Sequence, residues 1–304
     1  MSFDRKRPLA LVLCAVAVLA VLAGPSRTAS AQAARDGANG TLPERVQFLS
    51  ADHQTMLVGY VFKPAVAPGR RVPAVVMMHG RAGAYATRAD GAYDATTLSQ
   101  RHQFWGRLWA SQGYLAILVD GFGPRGYPAG FGRFSYGTRP AELDEVARRP
   151  LDAYGALAYL RARPDVIADR IALQGWSNGG SATLASMAPD APGLVAPTPV
   201  AGFRAALAFY PQCRLKDHFA ATGYGSYAPL RVFVGAADEE ISPRVCDALV
   251  KGASGDVQIQ LYDGASHDFD NPGRARQSNP ANVAARADAV RQATAFLAAA
   301  FTGR

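Results

Sequence analysis

The stretch VPAVVMMHG, residues 72–80, is apolar without interruption until it stops at a glycine. A strand with one wet face alternates apolar and polar residues, so an unbroken run belongs to a strand covered on both faces. Similar runs follow at YLAILVDGFG (114–123), RIALQGWS (170–177), FRAALAFYP (203–211) and LRVFVGAAD (230–238), and VQIQLYDG (257–264) reads as a further strand. Segments of helical spacing lie among them. QFWGRLWASQG places apolar residues at 104, 105, 108 and 109, and Gly113 closes it. PLDAYGALAYLRARP has proline at its first position and again as its stop. NGGSATLASMA is a helix of small residues, and NVAARADAVRQATAFLAAAF is long and amphipathic. RVQFLSA and TMLVGYVFKP, separated by DHQ, read as an antiparallel hairpin ahead of all these. Strands alternating with helices require right-handed crossovers and a largely parallel sheet. The expectation is one α/β domain, with about eight mostly parallel strands flanked by helices on both faces. No repeat or interdomain linker interrupts the pattern.

The first residues do not belong to that domain. MSFDRKRP is basic, LALVLCAVAVLAVLAG is apolar, and PSRTASAQA ends in small residues, the order of a secretory leader. The apolar run is shorter than the roughly 20 residues that span a bilayer. Residues 1–33 are therefore expected to be removed after Ala31 or Ala33, leaving residues 34–304 exported without stable membrane insertion. The net charge of +8 falls to +5 when four basic residues and one acidic residue leave with that segment. The remaining Lys and Arg are scattered and no nucleic-acid motif occurs, so nucleic acid is not an expected partner. Removal of Cys14 leaves Cys213 and Cys246, an even pair in an oxidising compartment. A disulfide is expected, with two buried free thiols as the alternative.

Residues 174–182 read QGWSNGGSA at the end of one apolar run. Gly-x-Ser-x-Gly alone is a weak signal, but here a strand precedes it and a helix follows, the context of a nucleophile elbow. Gly175 and Gly179 let strand and helix approach closely enough for Ser177 to adopt a strained turn with its hydroxyl clear of the sheet. The alternative is a turn that merely packs small residues on a sheet. A hydroxyl needs a base, and in this context the partners follow in the order Ser, Asp or Glu, His. Asp238, with Glu239 and Glu240 beside it, ends one strand, and His267 follows the next. Of the five histidines only His267 lies beyond Asp238. The N–H groups of Asn178, at the helix start, and of Arg81, in the loop after residues 72–80, are the expected oxyanion donors. His79 is read as bracing that loop. No metal-ligand spacing occurs.

Residues 81–100 and 121–140 form long loops after the carboxyl ends of two strands, the edge at which open α/β sheets bind ligands. The second carries six Gly, three Pro, five aromatics and three Arg. Phe122, Arg125, Tyr127, Tyr136 and Trp176 are the expected substrate-binding residues, with Arg81 and Arg125 as partners for an acidic group on a small acyl substrate. The alternative for Arg125 is an internal carboxylate such as Glu142.

Taken together, PAVVMMHG, GYLAILVDGFGPRG, DAYGALAYL, RIALQGWSNGG, AFYPQC, GAADEEISP and YDGASHDFD resemble the dienelactone hydrolase family of α/β-hydrolases over roughly residues 55–300. The resemblance implies an α/β-hydrolase fold and hydrolysis of an ester or lactone through an acyl-enzyme, without a cofactor. It places the nucleophile on Ser177, the acid on Asp238 and the base on His267. FYPQC and PRVC look like segments of exported relatives. The dienelactone hydrolase that gives the family its name has a cysteine nucleophile where this chain has Ser177, so the family name does not define the substrate. A small ester or lactone is the expected partner, and the oligomeric state is open. A serine peptidase or amidase on the same fold, and a catalytically silent binding protein, are the competing readings.

Overall fold

The computed structural model describes residues 1–2, 41–193 and 197–302. The apolar core of the expected leader and both expected cleavage positions lie outside them. Eight strands form one sheet: β1 (Glu44–Leu49), β2 (Met56–Phe62), β3 (Val72–Met78), β4 (Leu115–Asp120), β5 (Val166–Trp176), β6 (Ala205–Phe209), β7 (Leu230–Gly235) and β8 (Val257–Tyr262). Their order across the sheet is β1-β2-β4-β3-β5-β6-β7-β8. The hairpin β1–β2 and the pair β2–β4 are antiparallel, and every other pairing is parallel.

Beginning at Val72 and Leu115, β3 and β4 are buried almost residue for residue, as their unbroken apolar runs imply. Helices α1 (Gln100–Ser111), α2 (Arg149–Ala162), α3 (Asn178–Met187), α4 (Pro243–Lys251), α5 (Arg274–Gln277) and α6 (Pro280–Thr302) cover the sheet. The amino end of α1 lies three residues before the first expected position, because Ser99 Oγ accepts a hydrogen bond from the His102 N–H. Along α6, Ala285, Ala289, Ala293, Leu297 and Phe301 are buried at a four-residue spacing, the stripe of an amphipathic helix. Between β6 and β7, where the alternation of strands and helices implies helical material, the structure differs. The connection holds only a 3₁₀ turn, Leu215–Asp217, whose three residues all have positive φ.

Three tryptophans sit at the centre. Trp105 of α1 packs against Trp176 and Phe209 with ring centroids 6.1 and 5.1 Å apart, and Phe209 stacks on Phe233 at 4.9 Å. Trp109 donates from Nε1 to Gln174 Oε1 at 2.6 Å, which gives the amide oxygen of the polar residue inside the β5 run a partner. The carboxyl ends of β3–β8 thus emerge from a rigid base, and the functional residues stand on the loops they feed.

Candidate active site

Ser177 links β5 to α3 with φ 51° and ψ −115°, a conformation costly for a residue with a Cβ. Its N–H donates to Phe209 O at 2.9 Å, and its carbonyl accepts the Ser181 N–H at 2.9 Å. The neighbouring glycines are required by contact. A Cβ on Gly175 would lie 2.0 Å from Gly179 O, and one on Gly179 would lie 2.1 Å from Met78 O. Strand, helix and β3 therefore meet at van der Waals limits, and the turn cannot relax.

Asp238 and His267 follow β7 and β8. His267 Nδ1 donates to Asp238 Oδ2 at 2.8 Å, while Asp238 Oδ1 accepts the N–H groups of Glu240 (2.9 Å) and Ile241 (3.0 Å). The His267 N–H donates to Glu239 Oε2 at 2.9 Å. Tyr210, the residue after the Phe209 that anchors Ser177, packs its ring 4.5 Å from the imidazole. Burial disfavours the charged imidazole. The hydrogen bond to Asp238 and the charges of Asp268, Asp238 and Glu240 outweigh it, so the His267 pKa lies above its usual value. The Glu240 side chain is almost fully buried. Its Oε1 accepts from Arg81 Nη2 at 3.0 Å and forms an ion pair with Arg133 Nε at 2.9 Å, and its Oε2 stands 3.7 Å from His267 Nε2.

Two acids after His267 fix its loop. Asp268 pairs with the buried Arg101 at 2.5 Å. Asp270, fully buried, accepts from Trp105 Nε1 (2.7 Å), Trp176 Nε1 (2.8 Å) and Tyr210 Oη (2.5 Å). The alternation of acid and aromatic in HDFD, next to a core rich in tryptophan, is the only sequence signal for this hub.

On the other side of Ser177, a Cβ on Gly80 would lie 3.4 Å from Ser177 Cβ, so the His79–Arg81 backbone runs beside the serine. His79 Nδ1 donates to Gly80 O at 2.7 Å and its Nε2 accepts the Gly121 N–H at 3.3 Å, which bracing requires the neutral ring. Burial and the nearby Arg149 hold its pKa well below the ordinary histidine value. Arg149 was not anticipated. From Nη1 it donates both to His79 O (2.7 Å) and to Asn178 Oδ1 (2.6 Å), joining the β3 loop to the first residue of α3. Burial lowers its pKa to about 10. Asn178 Nδ2 donates in turn to Glu145 Oε2 at 3.0 Å.

The long loops touch each other. Phe131 N–H donates to Arg81 O at 2.8 Å, and Gly130, with φ 65°, lies so near Ala82 that a Cβ would approach its carbonyl carbon to 2.3 Å. Within this arrangement several expected substrate contacts do not hold. Phe122 is fully buried against His79 and Phe131. Trp176 is fully buried, with its indole N–H on Asp270. Arg125 forms a bidentate pair with Asp152, Nη1 to Oδ2 and Nη2 to Oδ1 each at 2.8 Å, and also donates to Gly121 O. Its partner is thus an internal carboxylate, Asp152 of α2 in place of Glu142. Arg81 is engaged by Glu240. Tyr127 and Tyr136 are partly exposed, the first against Phe131 and the second beneath the Arg139 guanidinium at 4.4 Å. Cys213 and Cys246 form a disulfide with Cα atoms 5.1 Å apart, joining the loop after β6 to α4.

Solved structures share this fold. A Klebsiella pneumoniae protein taken to be a dienelactone hydrolase aligns with TM-score 0.59 at 19% identity, over 84% of this chain and 99% of its own. Esterase 2 of Thermogutta terrifontis, with propionate bound, gives 0.57 at 21%, over 86% and 96%. A dienelactone hydrolase-like promiscuous phosphotriesterase from metagenomic libraries gives 0.58 at 18%, over 85% and 98%. The sequence itself matches the dienelactone hydrolase family over residues 57–301. With the α/β-hydrolase strand order and the elbow that this match spans, the chain belongs to the dienelactone hydrolase family and is a hydrolase acting on ester bonds.

Proposed function

We propose that residues 34–304 form an exported serine esterase or lactonase for small carboxylic esters, with Ser177, His267 and Asp238 as its triad. The observation that carries the reading is the His267–Asp238 hydrogen bond at the sheet edge where Ser177 is held in its strained turn. Ser177 attacks the acyl carbon. His267 takes the hydroxyl proton at Nε2 and returns it to the leaving alkoxide. Asp238 keeps the imidazole in the Nδ1–H tautomer and offsets its charge. The N–H groups of Asn178 and Arg81 receive the oxyanion, a donor of this kind lowering the barrier by about 3–4 kcal/mol. Water then hydrolyses the acyl-enzyme by the same steps in reverse.

Support for a short acyl group comes from the Thermogutta esterase, solved with propionate and with butyrate bound. Support for export comes from the leader-like first 33 residues together with the disulfide. The test is reaction with a fluorophosphonate probe, mapped by mass spectrometry, beside turnover of short esters, lactones and peptide amides. Labelling of Ser177, and loss of ester turnover in folded Ser177→Ala and His267→Ala proteins, is expected. Near-normal turnover by Ser177→Ala would overturn the assignment. Amide turnover matching ester turnover would favour the peptidase, and absence of labelling a silent binding protein.

A further inference from the structure

Of the carboxylates around His267, one faces the nitrogen that moves the proton. Asp238 holds Nδ1, Glu239 accepts the backbone N–H, and Asp268, whose charge also acts on the ring, is paired with Arg101 and Arg276. Glu240 alone presents an oxygen, Oε2, to Nε2, at 3.7 Å and with 2% side-chain exposure. Tyr210 covers the ring with an uncharged face. The cations in the second layer are Arg81 and Arg133 on Glu240 Oε1, Arg133 and Arg276 on Glu239 Oε1, and Arg101 and Arg276 on Asp268. Glu240 is thus the point at which three loops meet: its own after β7, the β3 loop through Arg81, and the 121–140 loop through Arg133. Oxyanion donor and base are joined by one carboxylate.

We infer that Glu240 is a positioning residue of the proposed triad: it fixes the Arg81 loop against the base and stabilises the imidazolium formed when Ser177 gives up its proton. The inference rests on the triad reading above. A carboxylate facing Nε2 repels the lone pair of the neutral ring and attracts the N–H of the protonated one, so it favours the charged form. Arg81 and Arg133 divide its charge and keep that preference from trapping the base in its protonated state.

Two variants with opposite consequences test this. Glu240→Gln removes the charge but keeps an amide oxygen for the arginines. The acid limb of kcat/KM against pH is expected to move down by about one unit, with a several-fold lower kcat on the plateau. Arg133→Gln, at a half-exposed position, leaves Glu240 less neutralised, and the same limb is expected to move up. A brace with no electrical role would change rates without displacing the two limbs in opposite directions. Fluorophosphonate labelling of Ser177 in wild type and both variants separates the failures. If wild type is unlabelled, the triad reading falls and this inference with it. If all three label while both limbs stay in place, the triad stands and the role of Glu240 is wrong.

Discussion

His267 Nδ1 lies 2.8 Å from Asp238 Oδ2, and that carboxylate can only accept, so the proton of the neutral imidazole sits on Nδ1 and the lone pair on Nε2. Proton uptake at Nε2 then produces an ion held between Asp238 and Glu240. Because the charged form is favoured, a larger share of His267 is protonated at a pH where a free histidine is half neutral. The proposed mechanism needs the neutral ring. The acid limb of kcat/KM is therefore expected above pH 6.5, with activity rising through it as pH increases. A limb at or below 6.5 in wild-type enzyme would contradict the environment assigned to His267.

Asp270 should be among the most sensitive positions for stability, although the mechanism gives it no chemical step. Replacement by alanine leaves two indole N–H groups and the Tyr210 hydroxyl without their acceptor, in a fully buried place. A loss of roughly 3–5 kcal/mol is expected, measured by urea unfolding. Activity in the fraction that stays folded should also fall, because Tyr210 packs on His267.

Arg125→Gln separates stability from recognition. The change leaves Asp152 buried without its bidentate partner, and about 3 kcal/mol of destabilisation is expected. The ratio of rates on carboxylate-bearing and neutral short esters should match that of wild type. A ratio that collapses in the variant would return Arg125 to the substrate.

Opening the disulfide should weaken the fold more than it alters the site. Cys213 and Cys246 are 33 residues apart, so the chain-entropy estimate is roughly 3–4 kcal/mol of stabilisation. Comparison of wild type with the Cys213→Ser/Cys246→Ser protein in denaturant measures it. Mass spectrometry of non-reduced, denatured protein should find no alkylatable thiol in the mature chain.

Apolar runs such as 72–78 made the sheet legible, since an unbroken run has few other homes, and the glycines around Ser177 declared the elbow. What stayed hidden depends on partners distant in the chain. Arg101 and Asp268 are 167 positions apart, and nothing near either announces the other. Arg125 looked available because Asp152, buried in the first turn of a separate helix, is 27 positions away. Trp176 is next to Ser177 in sequence but points into the core, and Phe122, at the start of the second long loop, is buried beneath it against His79 and Phe131. In a crowded elbow, aromatic surface is needed to fill the space beneath it. The alternation of strands and helices implied helical material between β6 and β7 as well, yet the left-handed turn at 215–217 breaks it.

The contact of Gly130 with Ala82, the Phe131–Arg81 hydrogen bond and the clasp of Arg133 on Glu240 have a meaning for anyone who would redesign this enzyme. Selectivity here is not modular. A 121–140 segment transplanted from a relative would arrive without the Ala82 backbone, the Arg81 carbonyl and the Glu240 carboxylate it is matched to, and would disturb the loop after β3 while changing its own. The exchangeable unit is the set of residues 81–83, 127–133 and 240, taken together.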